Sequence, residues 1–163
     1  LLLRIPCRLG LTWMPGMMIR MEMMIPFSEP LSPAELNRLS MLALAHVGDA
    51  VYELLVRSAL ASEGPAQVQE LHRKTVAFVR AEAQAKTAQR MAPLLTEEEA
   101  AVYRRGRNCH VHGIPAHANP AEYHSATGLE ALFGWLYLQG MTERIAVLFA
   151  FAAEDKTTDG AEC

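Results

Sequence analysis

Apolar residues recur along the chain at three- and four-residue spacings and never alternate for long, so the pattern predicts helices and no strands. Ser32-Pro33-Ala34-Glu35 has the form of a capping box with proline at the first helical position. It predicts a helix from Pro33 to about Ala61, with Gly64-Pro65 as its stop. Within that helix Leu39, Ala43, Val47, Ala50 and Leu54 mark an apolar face, while His46, Asp49 and Glu53 lie on another. A second long helix is predicted from Ala66 to Met91, with Val68, Leu71, Thr75, Phe78 and Val79 on one side and Pro93 closing it.

Thr96-Glu97-Glu98-Glu99 is another capping box, and its helix should end near Gly106 with Arg104 and Arg105 in the last turn. From Arg107 to Tyr123 the chain turns to Asn, His, Gly and Pro, which predicts a long loop. Gly128 to Leu138 is apolar nearly all round, so it should be a buried central helix, and Thr142 to Ala153 a last one. The expected architecture is an all-α bundle over residues 31–153 with no internal repeat. Residues 1–30, broken by prolines and crowded with methionines from Met14 to Met24, read as a disordered extension without a clean signal-peptide core. Residues 154–163 read as a polar tail.

Composition narrows the picture without naming a chemistry. A chain of 163 residues, 51% hydrophobic, suffices for one domain with a sizeable core. Fifteen Lys and Arg against eighteen Asp and Glu leave a formal charge of -3, so any nucleic-acid surface must be a local patch. Cys7, Cys109 and Cys163 are odd in number and far apart, which argues against a disulfide framework and fits a reducing cytoplasm. No apolar run approaches the roughly 20 residues of a membrane span, so no membrane partner is expected.

Glu130 is the sharpest anomaly, a carboxylate one turn into the most apolar helix, where an unpaired charge is costly. Two readings stand. Thr127-Gly-Leu-Glu130 can itself be a capping box; or Glu130 and Asp49 can converge on a hard cation through oxygen ligands, an arrangement that suits phosphodiester hydrolysis. Arg104-Arg105-Gly106-Arg107-Asn108 is the candidate phosphate contact, since two arginines would suffice for the helix dipole and a third lies beyond the glycine. His72, Arg73 and Lys74 could extend it. Cys109, His110, His112, His117 and His124 raise a zinc site as a rival, against which their spacing matches no common zinc framework. No nucleophile elbow of the G-x-S-x-G type occurs.

These residues also form a recognisable set. LALAHVGDAVYELLVR, residues 42–57, resembles the signature helix of the ribonuclease III catalytic domain through its Gly48-Asp49-Ala50-Val51 step. SATGLEALFGWLYL, residues 125–138, resembles that family's second metal-binding helix. With LHRKT (71–75) and LTEEEAAVYRRGRN (95–108), the resemblance is to the family's compact bacterial branch, the Mini-ribonuclease III proteins, and covers about residues 33–150.

That resemblance implies an all-α, homodimeric, cytoplasmic endoribonuclease that cuts double-stranded RNA with Mg2+ and matures the ends of the 23S ribosomal RNA precursor. By motif position it implies Asp49 and Glu130 as catalytic metal ligands, and Arg104, Arg105, Arg107 and Asn108 as RNA contacts, with Arg73 and Lys74 beside them. Glu53 is expected in a supporting or dimer-contact role and His46 as either a packed polar residue or one that supports the metal ligands from behind. Full-length ribonuclease III has further acids where this chain has Leu42, Ala45 and Thr127; the compact branch lacks them too, which leaves waters or phosphates to complete the metal's shell. Without a separate RNA-binding domain, affinity should be modest and salt-dependent, and a structured ribonucleoprotein substrate or a ribosomal-protein helper becomes a natural partner. The competing class is a catalytically silent helical RNA-binding module of ribosome assembly.

Overall fold

The structure, a computed structural model, describes residues 29–110 and 118–154. Among them the fold is all-α: α1 (Pro33–Leu36), α2 (Met41–Ser62), α3 (Val68–Val79), α4 (Ala81–Met91), a short 3-10 turn (Ala92–Leu94), α5 (Glu97–Arg107), α6 (Pro120–Leu138) and α7 (Thr142–Glu154). Most of the extension, the polar tail, Cys7, Cys163, His112 and His117 lie outside the described residues. No helix among the described residues is long and apolar enough to cross a membrane.

Three helices depart from the pattern read in the sequence, each through a local cap or break. The expected helix from Pro33 is two: the capping box at Ser32 opens only α1, and Ser40 starts α2 by accepting from the Ala43 backbone N–H at 3.1 Å. A serine side chain offers the backbone an alternative to helix continuation, and here it wins. The expected helix over 66–91 is also two, because Arg80 adopts an extended conformation (φ -63°, ψ 147°) between α3 and α4. That break lets α3 lie on α2 while α4 turns its small face, Ala83, Ala85 and Ala88, into the core against α6.

The largest departure is α6. It begins at Pro120, where Asn119 caps it by accepting from the Ala121 N–H at 3.0 Å, eight residues before the expected start at Gly128. Thr127 is consequently mid-helix, its hydroxyl donating back to the Tyr123 carbonyl, and the capping-box reading of Glu130 falls. The helix is buried on nearly all sides from Ser125 to Trp135 and Leu136, as its composition predicts, and α2, α4, α5 and α7 all pack on it. Tyr52 of α2 sits edge-on to Phe133 of α6, with ring centroids 5.3 Å apart, and to Phe149 of α7 at 5.9 Å.

The buried face of α2 is also rotated from expectation. Leu44, Ala45, Gly48, Val51, Tyr52, Val56 and Leu60 face the core, whereas Ala50 is exposed and Leu54 is 50% exposed. Val68, expected on the inner face of α3, is exposed as well. The reason is the crossing of α2 and α6: a methyl group on Gly48 would overlap the Glu130 carbonyl oxygen and the Gly134 nitrogen, and one on Gly134 would overlap the Leu44 carbonyl. The two backbones touch, and only glycine permits it.

At the edge of the bundle Glu99 is almost fully buried, closes the Thr96 capping box, and receives both Nε and Nη2 of Arg144 at 2.8 Å. The same guanidinium donates to the Leu94 carbonyl at 2.7 Å, so α7 is clamped to the start of α5. The arginine holds the Glu99 carboxyl below the usual range.

Two predictions follow from these contacts. Gly48→Ala should lower unfolding free energy by about 3 kcal/mol or more, read as a lower Tm; Gly134→Ala should do likewise, with the double variant less than additive because both act at one crossing. Arg144→Ala should cost on the order of 3 kcal/mol by stranding a buried carboxylate. Because Glu99 has a depressed folded-state pKa, its contribution is present above the unfolded carboxyl range and lost as pH falls below it. The wild-type advantage over Arg144→Ala in urea melts should therefore shrink on acidification.

Candidate metal centre and nucleic-acid interface

The α2–α6 crossing creates the site. Gly48 rests against the α6 turn from Glu130 to Gly134, so the next residue of α2, Asp49, stands beside the Glu130 side chain. Asp49 is exposed and Glu130 is partly buried. Burial, and then repulsion by Asp49, push the Glu130 carboxyl up to about 7, while Gln84 opposes the shift. Asp49 is raised more gently, by burial and by Glu53, with His46 favouring its ionised form. Glu130 is the more buried member, and burial is the first cause of its shift.

Two carboxylates pressed together with one of them half out of water form a poor place for charge unless a cation joins them. The donor set is oxygen only, the chemistry that magnesium selects, and one or two carboxylates plus waters is its usual protein complement. Among the described residues no three His, Cys, Asp or Glu side chains group to hold a metal, so a cation at this pair would draw on two carboxylates. The zinc rival rests largely on His112 and His117, outside the described residues.

The supporting residues divide. Glu53 does not join the pair through a hydrogen bond; its carboxylate accepts from Arg57 one turn further on. His46 is exposed and so not packed, because the core-facing stripe of α2 runs through Leu44 and Gly48, but it lies close enough to Asp49 to favour the aspartate's ionised form.

A second close approach places the basic residues. Gly106 lies against Ala131 and Gly128, and Gly128 against the Tyr103 ring, so the last turn of α5 is laid along the α6 turn that carries Glu130. Arg104, Arg105, Arg107 and Asn108 are all exposed there, and among the described residues no carboxylate pairs with the three arginines. They do not form one patch. Arg104 and Arg105 line a shallow depression of about 560 Å³ with Met41 and Ala101, whereas Arg107 lines another of about 310 Å³ with Ala121 and His124; Asn108 borders both.

Arg73 and Lys74 stand elsewhere, on α3, which packs against α2 and α4. Both are engaged on the surface, Arg73 in a two-point pair with Glu70 and Lys74 with Glu63 at 3.5 Å. The structure does not bring them to the arginines of α5. One residue near the site carried no clear signal in the sequence: Gln84, one glutamine in an Ala- and Gln-rich helix. His124, raised in the sequence only as a zinc candidate, has its Nδ1 buried without a hydrogen bond among the described residues, beside Arg107.

Comparison with known proteins identifies the family. The family described as Ribonuclease III domain matches residues 42–141, which include Asp49, Glu130 and the α5 arginines. A protein named Mini-ribonuclease 3 from Symbiobacterium thermophilum is 48% identical over 113 residues, 69% of this chain and 87% of that one. Its namesake from Gloeobacter violaceus is 44% identical over 124 residues, 76% of this chain and 90% of its own. A crystal structure of a Fusobacterium nucleatum protein superposes with a TM-score of 0.67 at 28% identity, covering 75% of this chain and 98% of its own. The chain therefore belongs to the ribonuclease III domain family, as an endoribonuclease of its Mini-ribonuclease 3 branch.

Proposed function

We propose that this protein is a magnesium-dependent endoribonuclease that cleaves double-stranded RNA and matures the ends of the 23S ribosomal RNA precursor. On this reading it works as a cytoplasmic homodimer, with residues 31–153 as its catalytic domain and a ribosomal-protein-bound precursor as its preferred substrate. The observation that carries the reading is the Asp49–Glu130 pair, held together by a backbone contact and electrostatically strained toward a cation.

Asp49 and Glu130 would hold the magnesium. The chemistry a bound ion supplies is activation of water and neutralisation of charge on the phosphodiester, leaving 5'-phosphate and 3'-hydroxyl ends. Glu130 must be ionised to bind it, so protonation competes with metal; exposed Asp49 leaves the pair open to a phosphate. Arg104, Arg105 and Arg107, free of carboxylates and laid beside Glu130, would follow the phosphates of an A-form duplex by shape and charge. Arg73 and Lys74 could join only by exchanging Glu70 and Glu63 for phosphate. The exposed apolar residues of α2, Leu42, Ala50 and Leu54, interleaved with His46, Glu53 and Arg57, favour a second copy of the chain as their cover, which would give two sites for two strands.

Incubating the protein with a duplex RNA and magnesium should give 5'-phosphorylated fragments, and a duplex from the 23S precursor ends should be cut faster than an unrelated one. Asp49→Asn and Glu130→Gln should each lose more than the roughly 10–100-fold typical of an outer-shell change, while still shifting duplex in a gel. Duplex binding by wild type without magnesium-dependent cutting would favour the silent RNA-binding module.

The raised Glu130 pKa also makes a stability prediction. The folded protein binds a proton there that the unfolded chain releases near 4.5, so stability falls as pH rises from that range through about 7. In chelator at pH 8, Glu130→Gln should be more stable than wild type by on the order of 2–3 kcal/mol, with the difference gone near pH 4 and narrowed by magnesium. Equal Tm values at both pH values would show that Glu130 is not in a strained setting.

A further inference from the structure

Gln84 is 1% exposed, the one polar side chain among the largest fully buried ones. It lies on the face of α4 shared with Ala85, Ala88 and Met91, packed toward α6, where a leucine or methionine would fill the same space. Its amide sits against the Glu130 carboxyl closely enough to favour the ionised form, yet neither Nε2 nor Oε1 makes a hydrogen bond of sound geometry among the described residues. A buried amide so poorly satisfied costs folding free energy. In metal-free sites such bonds are often long or misaligned and tighten when the site is loaded.

We propose that Gln84 is a positioning residue for the metal pair: buried and otherwise unpartnered among the described residues, its amide N–H is placed to be drawn onto the Glu130 carboxylate when a divalent cation binds, fixing that carboxylate beside Asp49. The side-chain type fits the task. A lysine or arginine here would neutralise Glu130 itself and compete with the ion, and a glutamate would add a third repelling charge. An aliphatic residue would leave Glu130 unguided. A neutral donor orients the carboxylate and leaves its charge for the metal.

The inference rests on the reading of Asp49 and Glu130 as metal ligands, and a magnesium titration of the full chain followed by NMR separates the two. Gln84→Met should fold with a Tm equal to or above wild type, since it removes an unsatisfied amide, but bind magnesium roughly tenfold or more weakly, as outer-shell partners do. In wild type the Gln84 side-chain NH2 resonance should shift as magnesium is added and fail to shift in Glu130→Gln. Wild-type affinity in Gln84→Met, or a Gln84 resonance indifferent to magnesium, with Glu130→Gln still defective in binding, overturns this proposal alone. No saturable binding by wild type, or wild-type affinity in Glu130→Gln, overturns the metal pair and the role of Gln84 with it. Should Gln84→Met not fold, the wild-type resonance decides.

Discussion

The backbone contact between α2 and α6 at Gly48 and Gly134 is the constraint on which the rest depends. Helices normally pack 8–10 Å apart because side chains stand between them; here a carbonyl of each helix occupies the place of a side chain on the other. That approach rotates α2 so that Leu44, Gly48, Val51 and Tyr52 face inward and Asp49 falls at the edge of the crossing. It also puts Glu130 close enough to Asp49 for their charges to interact. The acids are adjacent because the glycines are.

Such a crossing cannot adjust freely, which matters to the electrostatics. Burial is the first reason that Glu130 resists ionisation; repulsion by Asp49 adds to it, and on helices locked by touching backbones the two carboxylates cannot swing apart to relieve it. On the proposed reading a cation would relieve this strain. The pair would then be preorganised for metal in the sense that the unfavourable step, bringing two charges together, is taken during folding and is offset by the packing of Tyr52, Phe133 and Phe149 around the same helix pair.

Much of this was legible in the sequence. The all-α class, the burial of residues 129–136, the capping box at Thr96 and the basic end of α5 all follow from spacing and composition. The family resemblance named Asp49 and Glu130. The misses have local physical causes. Ser40 and Asn119 are caps sitting in plain view, but a serine inside an apolar period and an Asn-Pro inside a polar loop were each outweighed by the longer pattern around them. Arg80 carries no breaker signature; its extended backbone is a tertiary choice that lets α3 and α4 face different partners. The apolar stripe of Ala50 and Leu54 was read as core because a periodic pattern does not distinguish a face buried in one chain from one left for another surface.

The same logic explains why the arginines could be located in sequence but not arranged. Their place beside Glu130 is set by the second glycine contact, Gly106 and Gly128 letting α5 down onto α6, and a glycine near a helix end reads equally well as a simple terminator. Their division into two depressions does not follow from helix spacing, which puts Arg104 and Arg107 on one face; it follows from the neighbours, Met41 and Ala101 around Arg104 and Arg105, Ala121 and His124 around Arg107. A duplex lying across that turn would meet Arg104 and Arg105 on one side and Arg107 with His124 on the other, with Asn108 between them. If RNA lies against this end of α5, as the proposed function requires, the exposed arginines of the two depressions can meet more than one phosphate, because among the described residues none of them is held by a carboxylate.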